Sequence, residues 1–397
     1  MSDRRLRLCL ISQEFPPHTN WGGIAVYNGE LAAAYAARGH DVTVISRASP
    51  GAPARAQHWG GTVLRVGVPI TRKRLTGRTI DRILHARAVS NVVTELDRER
   101  PFDVFETTEA GLEGEQLVRR EAFRRRLVIQ CNGSNAFGEA PGGVLASLHR
   151  ADWAWSFTRE QFVLRCVPVI IVTSEATRGV LTRQGLSPAK MTLIPQGIDV
   201  ARFSPAARAE RTGRLRVGFV GRLEKRKGID FIWRIIERLA PSGLFEFHLK
   251  GALHPATRQD TERRLRAFRT DVTHHLPGGH DDMPAFYRSL DVLLQPSRFE
   301  NFGLAYAEAM ACGVLVLAGE RGGGREIVTD GVTGFLVDPD GPIERAIAIL
   351  ERAASEPHAF APLIVSGRDD IVRRFSLDRC AERKLELYAS LASRTAA

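Results

Sequence analysis

The strongest constraint on the fold is a strand, a glycine loop, a helix and a second strand that occur in this order twice along the chain of 397 residues. In the first copy, the apolar residues 6–12 precede Gly22 and Gly23, and alanines and a leucine recur at helical spacing over residues 27–38. A second apolar run follows at residues 41–46. Since two parallel strands need a crossover connection, usually a helix, this pattern predicts a βαβ unit.

Similar segments extend both copies into larger sheets. The second copy begins with the apolar run 215–220, the loop 221–228 and the helical pattern 229–239. Strands that alternate with helices form a mostly parallel sheet, so we predict an α/β protein with two Rossmann-like, doubly wound domains. The remaining strand-like segments are residues 62–66, 104–106, 127–130 and 169–173 in the first copy, and 245–250, 292–295 and 314–317 in the second.

A change in composition separates the two predicted domains. Residues 202–214 are rich in proline, alanine and arginine and have no apolar periodicity, which is typical of a linker. We therefore place the domains at residues 1–205 and 206–375. Ligands of open α/β sheets bind outside the carboxyl ends of the strands, so we expect a ligand that contacts both domains.

Charge and cysteine usage narrow the range of partners. The formal net charge is +11, but the aromatic residues, 7% of the chain, do not alternate with basic ones, so the sequence does not favour nucleic-acid binding.

Five widely spaced cysteines predict a reducing compartment. The first 12 residues hold too few apolar side chains for a signal-peptide core, and no apolar stretch reaches the roughly 18 residues of a membrane span. We therefore predict a cytoplasmic protein.

The loop at residues 221–228 reads Gly-Arg-Leu-Glu-Lys-Arg-Lys-Gly. It precedes a predicted helix, whose amino terminus offers free N–H groups and a partial positive charge to an anion. Arg222, Lys225 and Lys227 add three cations, so phosphate is the expected ligand. The spacing is not that of a Walker P-loop, and no G-x-G-x-x-G follows the first strand, so neither an ATPase nor a typical dehydrogenase is favoured. A solvated basic turn is the alternative.

Two glutamates, Glu300 and Glu308, lie eight residues apart in a segment that follows a predicted strand. With a helix that starts near Phe302, Glu300 lies at its entrance and Glu308 about two turns inside. Carboxylates accept hydrogen bonds from vicinal hydroxyls, and the N–H groups of Gly303 and Leu304 at the helix start suit a phosphate. This combination predicts a sugar-nucleotide site. A capping role for Glu300 and a surface position for Glu308 are the alternative.

Together these motifs resemble glycosyltransferase family 4, the retaining enzymes of the GT-B fold. The resemblance rests on residues 221–223 with 227–228, on the two glutamates with residues 302–304, and on the run Gly-Gly-Gly-Arg-Glu-Ile-Val at 322–328, and it covers essentially the whole chain. It implies two Rossmann-like domains that face each other across a cleft, and a last helix within residues 376–397 that packs back on the N-terminal domain.

The resemblance also implies roles for individual residues. Arg222 and Lys227 match the pair that binds the donor diphosphate, Glu308 matches the acid that holds the ribose hydroxyls, and Glu300 matches the carboxylate that contacts the donor sugar. Fixed cations and helix amides stabilise a departing diphosphate electrostatically, so no metal is needed, and Asp338-Pro339-Asp340 is interpreted as a turn. The further donor-side residues implied are Gly22, Gly23, Phe302, Gly303 and Leu304.

One position departs from the family pattern. Many relatives place a histidine after a strand of the amino domain near the reaction centre, and Asn132 occupies that place here. An asparagine hydrogen-bonds a sugar hydroxyl but does not act as a base. Asn132 is therefore a catalytic-site candidate together with Glu300, Arg222 and Lys227, and an ordinary turn residue is the alternative.

The resemblance implies a retaining glycosyltransferase that moves a sugar from a UDP- or GDP-linked donor to a hydroxyl of a glycan, a lipid-linked molecule or a small molecule, by same-face attack. A sugar-nucleotide epimerase or isomerase and a non-catalytic sugar-nucleotide-binding subunit are the alternatives.

Nine basic and four acidic residues between Arg65 and Arg100 surround apolar residues at helical spacing. This pattern suits peripheral contact with an anionic membrane, or a solvated helix packed on the sheet.

Overall fold

The computed structural model describes residues 4–16, 23–67, 79–109, 111–132, 146–206, 213–356 and 358–396. Two units are present: one runs to Gly197 and resumes at Leu377, and the other is Ile198–Ser376. The first unit contains an eight-stranded sheet in the order β3-β4-β2-β1-β5-β6-β7-β8, in which only the β3–β4 pair is antiparallel. Its strands are β1 (Arg7–Ser12), β2 (Asp41–Arg47), β3 (Arg55–His58), β4 (Gly61–Val66), β5 (Val104–Thr108), β6 (Leu127–Cys131), β7 (Val169–Val172) and β8 (Met191–Leu193).

Helices cover both faces of this sheet because its central strands are apolar on both sides. Alternate residues of β1 enter opposite cores: Leu8 and Leu10 pack in one core, whereas Cys9 and Ile11 pack in the other. The helices are α1 (Gly23–Ala37), α2 (Thr79–Glu99), α3 (Gly114–Val118), α4 (Glu121–Arg124), α5 (Ala146–Cys166), α6 (Glu175–Arg183) and the C-terminal α14 (Leu377–Ala396).

The second unit contains a six-stranded parallel sheet in the order β11-β10-β9-β12-β13-β14. Its strands are β9 (Leu215–Val220), β10 (Phe245–Lys250), β11 (Val272–His275), β12 (Val292–Gln295), β13 (Leu315–Gly319) and β14 (Phe335–Val337). Its helices are α7 (Ile229–Leu239), α8 (Arg258–Ala267), α9 (Met283–Arg288), α10 (Leu304–Ala311), α11 (Gly324–Ile327), α12 (Glu344–Ser355) and α13 (Ala361–Phe375).

The strand order places a switch point in each sheet. From β9 the chain proceeds first to β10 and β11 on one side, and then to β12, β13 and β14 on the other. The loops after β9 and β12 therefore leave the same edge of the sheet side by side, which is where open α/β sheets bind ligands. In the first sheet the corresponding point lies between β1 and β5.

Contacts near both ends of the second unit define its boundaries with the first unit. The N–H of Ile198 donates a hydrogen bond to the carbonyl of Phe375 at 2.8 Å, and Phe203 packs against Tyr287, so the second unit begins at Ile198. Helix α14 packs on the first unit, where the rings of Tyr35 and Tyr388 meet edge to face with centroids 6.1 Å apart. Along the described parts of the chain, no helix combines the length and the apolar character that crossing a bilayer requires.

Candidate functional site

The basic loop after β9 is a tight turn rather than an extended segment. Residues Lys225–Lys227 form one turn of 3₁₀ helix, and Gly228 follows in the left-handed region at φ 82° before α7 begins. A Cβ on Gly228 would lie 2.1 Å from the carbonyl oxygen of Pro296, so only glycine allows this close approach to the chain that follows β12. The turn and the segment after β12 are thereby held together.

We expect Gly228→Ala to lower the free energy of unfolding by about 2–4 kcal/mol, which combines left-handed strain with overlap against a backbone carbonyl. Gly243→Ala is the matched control, because Gly243 also has a positive φ, 70°, but nothing lies within 4 Å of its Cβ position. The control should lose about 1–2 kcal/mol from strain alone. Urea unfolding of both variants measures the difference, and equal losses would contradict the contact with Pro296.

Lys227 and Glu300, which the sequence analysis assigned to phosphate and sugar, lie in direct contact. The Nζ of Lys227 is 2.6 Å from Oε1 of Glu300, and both side chains are largely buried. The hydroxyl of Ser297 donates a second hydrogen bond to the same carboxylate oxygen at 2.7 Å. Ser297 in turn accepts from the amide of Gln295, whose oxygen accepts from the N–H of Val220, so the ends of β9 and β12 share one polar network.

This environment keeps Glu300 ionised. Burial by itself would raise the pKa of the carboxyl, but the charge and hydrogen bond of Lys227, the hydroxyl of Ser297 and the charge of Arg226 together hold it below its ordinary value. An ionised carboxylate only accepts hydrogen bonds. Glu300 is therefore suited to bind hydroxyl groups, as a sugar offers.

Arg222 lies on the same loop but has a different partner. Its guanidinium is 3.3 Å from Glu224, 59% of its side chain is exposed, and Arg226 contacts the same carboxylate at 2.8 Å. The structure thus pairs the two predicted phosphate-binding cations with different acids. Because Arg222 is exposed, it is accessible to a ligand at this edge of the sheet.

Helix α10 starts two residues later than the sequence analysis expected. Gly303 has φ 105°, which is not helical, so the first helical residue is Leu304 and Glu308 lies about one turn inside, not two. The expected depth of Glu308, about two turns inside the helix, is therefore wrong. Glu308 is buried on this helix, and the hydroxyl of Tyr287 donates a hydrogen bond to it at 2.7 Å. Burial, and then the negative charge of Glu308, raise the pKa of Tyr287 well above its ordinary value.

The segment 302–304 presents its backbone rather than its aromatic side chain. The ring of Phe302 is buried edge to face against Phe375, with centroids 5.4 Å apart, so it belongs to the core. The first N–H groups of α10 have no partner within the helix by geometry, as at any helix start. The glycine run after β13 packs behind this segment: Gly323 donates to the carbonyl of Glu300 at 2.7 Å, and a Cβ on Gly322 would lie 2.3 Å from that oxygen.

Asn132 follows β6 in the first unit and is tied into an amide network. Its N–H donates to both carboxylate oxygens of Glu109, at 3.0 and 3.1 Å. Its side-chain oxygen accepts from the amides of Gln130 at 2.6 Å and Gln196 at 3.1 Å. Of the predicted loop glycines, Gly23 is the first residue of α1, and Gly22 lies outside the described residues.

The Asp338-Pro339-Asp340 segment forms the turn that the sequence analysis proposed. Asp338 accepts from the N–H of Asp340 at 3.1 Å, and Arg321 contacts the two carboxylates at 3.0 and 2.5 Å. Hydrogen bonding to Arg298 is the main cause that lowers the pKa of Asp340, with Arg321 adding to it. Within the ranges that the structure describes, no group of three histidine, cysteine or acidic side chains could hold a metal ion.

Two side chains that contact buried glutamates were not predicted from the sequence. Tyr287 contacts Glu308 from α9, and Lys384 on α14 is fully buried 2.6 Å from Glu106 of β5. Lys384 falls on the apolar stripe of α14, at helical spacing from Ala381 and Tyr388, and that position in the pattern was the available signal for a buried lysine.

Comparison with known proteins agrees with this architecture. The family model described as "Glycosyltransferase Family 4" matches residues 21–202, and the one described as "Glycosyl transferases group 1" matches residues 214–354. The chain is 30% identical to the D-inositol 3-phosphate glycosyltransferase of Acidothermus cellulolyticus over 395 residues, which cover 94% of this chain and 87% of the relative. It spans 56% of the length of the protein of the same name from Geodermatophilus obscurus, at 30% identity over 256 residues and 60% of this chain.

Two solved structures share the fold. Sucrose-phosphate synthase from Thermosynechococcus elongatus superposes with a TM-score of 0.83 at 23% identity, covering 98% of this chain and all of that one. Anabaena HepE in complex with UDP-glucose superposes with a TM-score of 0.73 at 18% identity, covering 97% and 100%. The fold is thus that of the GT-B glycosyltransferases, as predicted. Since a relative is 30% identical over 94% of this chain and 87% of its own length, and two domain models match, the chain belongs to glycosyltransferase family 4.

Proposed function

We propose that this protein is a retaining glycosyltransferase that transfers a sugar from a UDP- or GDP-linked donor to an acceptor hydroxyl. The observation that carries the proposal is the contact between Lys227 and Glu300, 2.6 Å apart, at the carboxyl ends of the neighbouring strands β9 and β12. A cation for a diphosphate and a carboxylate for sugar hydroxyls adjoin at the switch point of the sheet, where ligands of this fold class bind.

The charges of the loop suit the leaving group. An ammonium has three donors, so Lys227 can keep its bond to Glu300 and also donate to a phosphate oxygen. Arg222 and the N–H groups at the start of α10 add further positive potential. Negative charge grows on the diphosphate as the glycosidic bond breaks, so these groups stabilise the transition state more than the ground state. This electrostatic stabilisation requires no metal ion.

In the proposed same-face attack, the acceptor oxygen forms the new bond on the side from which the diphosphate departs. The electron pair of the broken bond goes to the leaving phosphate, and the proton of the acceptor hydroxyl goes to a phosphate oxygen. No protein base is then needed, which agrees with an asparagine at position 132. Glu308 is assigned to the ribose hydroxyls, and Glu300 to the donor sugar.

The test is turnover of sugar nucleotides by the wild type and by Glu300→Gln, with and without acceptor and in the presence of a chelator. D-inositol 3-phosphate is one acceptor to include, since relatives are named for it. We expect nucleoside diphosphate to be released by the wild type only with acceptor, and Glu300→Gln to bind donor without turning it over. Donor conversion without acceptor would favour an epimerase, and binding without any turnover by the wild type would favour a non-catalytic subunit.

We also propose that the protein is cytoplasmic and that helix α2 makes a peripheral contact with an anionic membrane. The five cysteines are free thiols. On α2, Ile80 and Leu84 are 51% and 40% exposed, and Arg87 follows them on the exposed face. Four basic residues, Arg72, Lys73, Arg74 and Arg78, precede this helix but lie outside the described residues.

We expect the protein to sediment with phosphatidylglycerol vesicles at low salt and to be released at high salt, because the surface potential of an anionic membrane is screened by ions. The double variant Ile80→Ser/Leu84→Ser should sediment less because it removes the exposed apolar side chains. Recovery of the wild type in the supernatant at low salt would contradict the membrane contact.

A further inference from the structure

One arginine, Arg298, joins three loops at the carboxyl edge of the second sheet. It follows β12, and its side chain is 26% exposed. Each of the five N–H donors of its guanidinium makes a hydrogen bond. Two go to the carboxylate of Asp230 on α7, at 2.8 Å each, and one goes to Asp340 after β14, at 2.7 Å. The other two go to the carbonyl of Lys225, after β9, and to that of Pro339 at 3.4 Å.

These contacts hold the turn that carries Lys227. The guanidinium of Arg298 donates to the carbonyl of Lys225, and its backbone N–H donates to the carbonyl of Arg226 at 2.8 Å. Both carbonyls belong to the 3₁₀ turn, of which Lys227 is the last residue. Glu300, whose carboxylate lies 2.6 Å from Nζ of Lys227, comes two residues after Arg298 on the same segment. Arg298 therefore ties the backbone that carries the cation to the backbone that carries its acid.

The shape of a guanidinium suits this task better than charge alone. Its donors point in fixed directions in one plane, so it binds two carboxylates and a carbonyl at once, which the single nitrogen of a lysine cannot do. We propose that Arg298 is a positioning residue that holds Lys227 in place to bind the diphosphate of the donor. Because all five donors of Arg298 are used within the protein, it acts on the ligand through Lys227. This inference rests on the proposed function, since it assigns Lys227 to the diphosphate.

Arg298→Lys tests the proposal because it keeps the positive charge and removes the fixed set of donors. We expect the affinity for UDP or GDP, whichever the wild type binds, to fall about tenfold to a hundredfold, as for a displaced binding group. An affinity within twofold of the wild type would overturn the proposal, since charge alone would then suffice. Arg345→Met is the matched control and should keep the wild-type affinity. Arg345 also binds both oxygens of an aspartate, at 2.8 and 2.7 Å, and within the described residues its side-chain hydrogen bonds go to Asp330 alone.

A double-mutant cycle shows whether the effect passes through Lys227. In the Lys227→Ala background, Arg298→Lys should cause no further loss of affinity, because the group that it positions is already absent. Losses that multiply in the double variant would overturn the proposal.

A milder variant covers the case in which Arg298→Lys does not fold. Asp340→Asn weakens one of the five hydrogen bonds of Arg298, at a carboxylate that is 45% exposed. We expect it to lower the affinity about two- to fivefold in the wild-type background, and not at all in Lys227→Ala. No loss in the first background, or equal losses in both, would overturn the positioning role.

The position of Lys227 is also measurable without a nucleotide. In protein labelled with ¹³C-glutamate, the carboxyl signal of Glu300 is the one lost in Glu300→Gln. Burial raises the pKa of this carboxyl, but Lys227 holds it below its ordinary value in the wild type. We expect the pKa to rise in Arg298→Lys, because the ammonium of Lys227 moves away while the net charge stays the same.

This titration separates the two possible failures. An unchanged pKa of Glu300 in Arg298→Lys would overturn the positioning role, whether or not the protein transfers a sugar. A raised pKa in a protein that transfers no sugar would support the positioning role and refute the proposed function instead.

Discussion

Lys227→Ala should weaken binding of the nucleoside diphosphate by about 30- to 700-fold, which corresponds to about 2–4 kcal/mol for a desolvated, charge-assisted contact. Lys227 is the cation that the structure places beside Glu300 at the ends of β9 and β12, and its side chain is only 20% exposed. Titration calorimetry with UDP and with GDP measures the loss. Unchanged affinity for whichever of the two the wild type binds would overturn the assignment.

The same substitution leaves the Glu300 carboxylate without its ammonium partner, so a control must separate charge repulsion from lost binding. In Lys227→Ala/Glu300→Gln the isolated charge is gone. We expect the stability of the double variant to recover relative to Lys227→Ala, whereas diphosphate affinity should remain low because the cation is still absent. Full recovery of affinity in the double variant would mean that Glu300 repels the ligand and that Lys227 does not bind it.

The dependence of stability on pH gives a further readout of this pair. In the wild type the pKa of Glu300 is held below its ordinary value, so its stabilising contribution is present above that value and is lost as pH falls through the lower, folded-state pKa. Without Lys227, burial dominates and the pKa should lie above the ordinary value, so folding is penalised as pH rises. The stability difference between wild type and Lys227→Ala should therefore grow from pH 4 to pH 7.

The elements that carry this site could be predicted because their strands are buried. Strands β9, β10 and β12 and helix α7 have the bounds expected from the apolar runs and from the helical spacing. The strands that were not predicted lie at or near sheet edges, where apolar runs are short or absent. β3 reads Arg-Ala-Gln-His and is half-exposed, and β14 has three residues. Composition alone does not distinguish such segments from loops.

The contacts within the site could not be read from the sequence, because they depend on strand order. Lys227 and Glu300 are 73 residues apart, and they meet only because β12 pairs with β9 and not with β11, which precedes it along the chain. Lys384 is separated from Gln130 and Glu106 by 254 and 278 residues. A lone lysine on an apolar helical stripe indicates a buried cation, but it does not identify the carboxylate that neutralises it.

Lys384→Met should lower the free energy of unfolding of the first unit by about 3–5 kcal/mol, because it leaves the buried carboxylate of Glu106 without its counter-ion. Lys384 is fully buried, and the Glu106 side chain is only 7% exposed. Since the chain has two units, hydrogen–deuterium exchange read by mass spectrometry is the suitable measurement, with peptides from Ile198–Ser376 as the internal control. Protection should fall in β5, β6 and α14 and persist in the second unit.

The matched control for this loss is Glu106→Leu/Lys384→Met, which removes both charges and fills the site with apolar side chains. Replacing a buried ion pair in this way is often neutral or stabilising, so protection in the first unit should return to the wild-type level or exceed it. Equal loss in the single and double variants would show that α14 is held by the packing of its apolar residues, and that the Lys384–Glu106 pair is dispensable. Recovery in the double variant would instead identify the unpaired carboxylate as the cause of the loss in Lys384→Met.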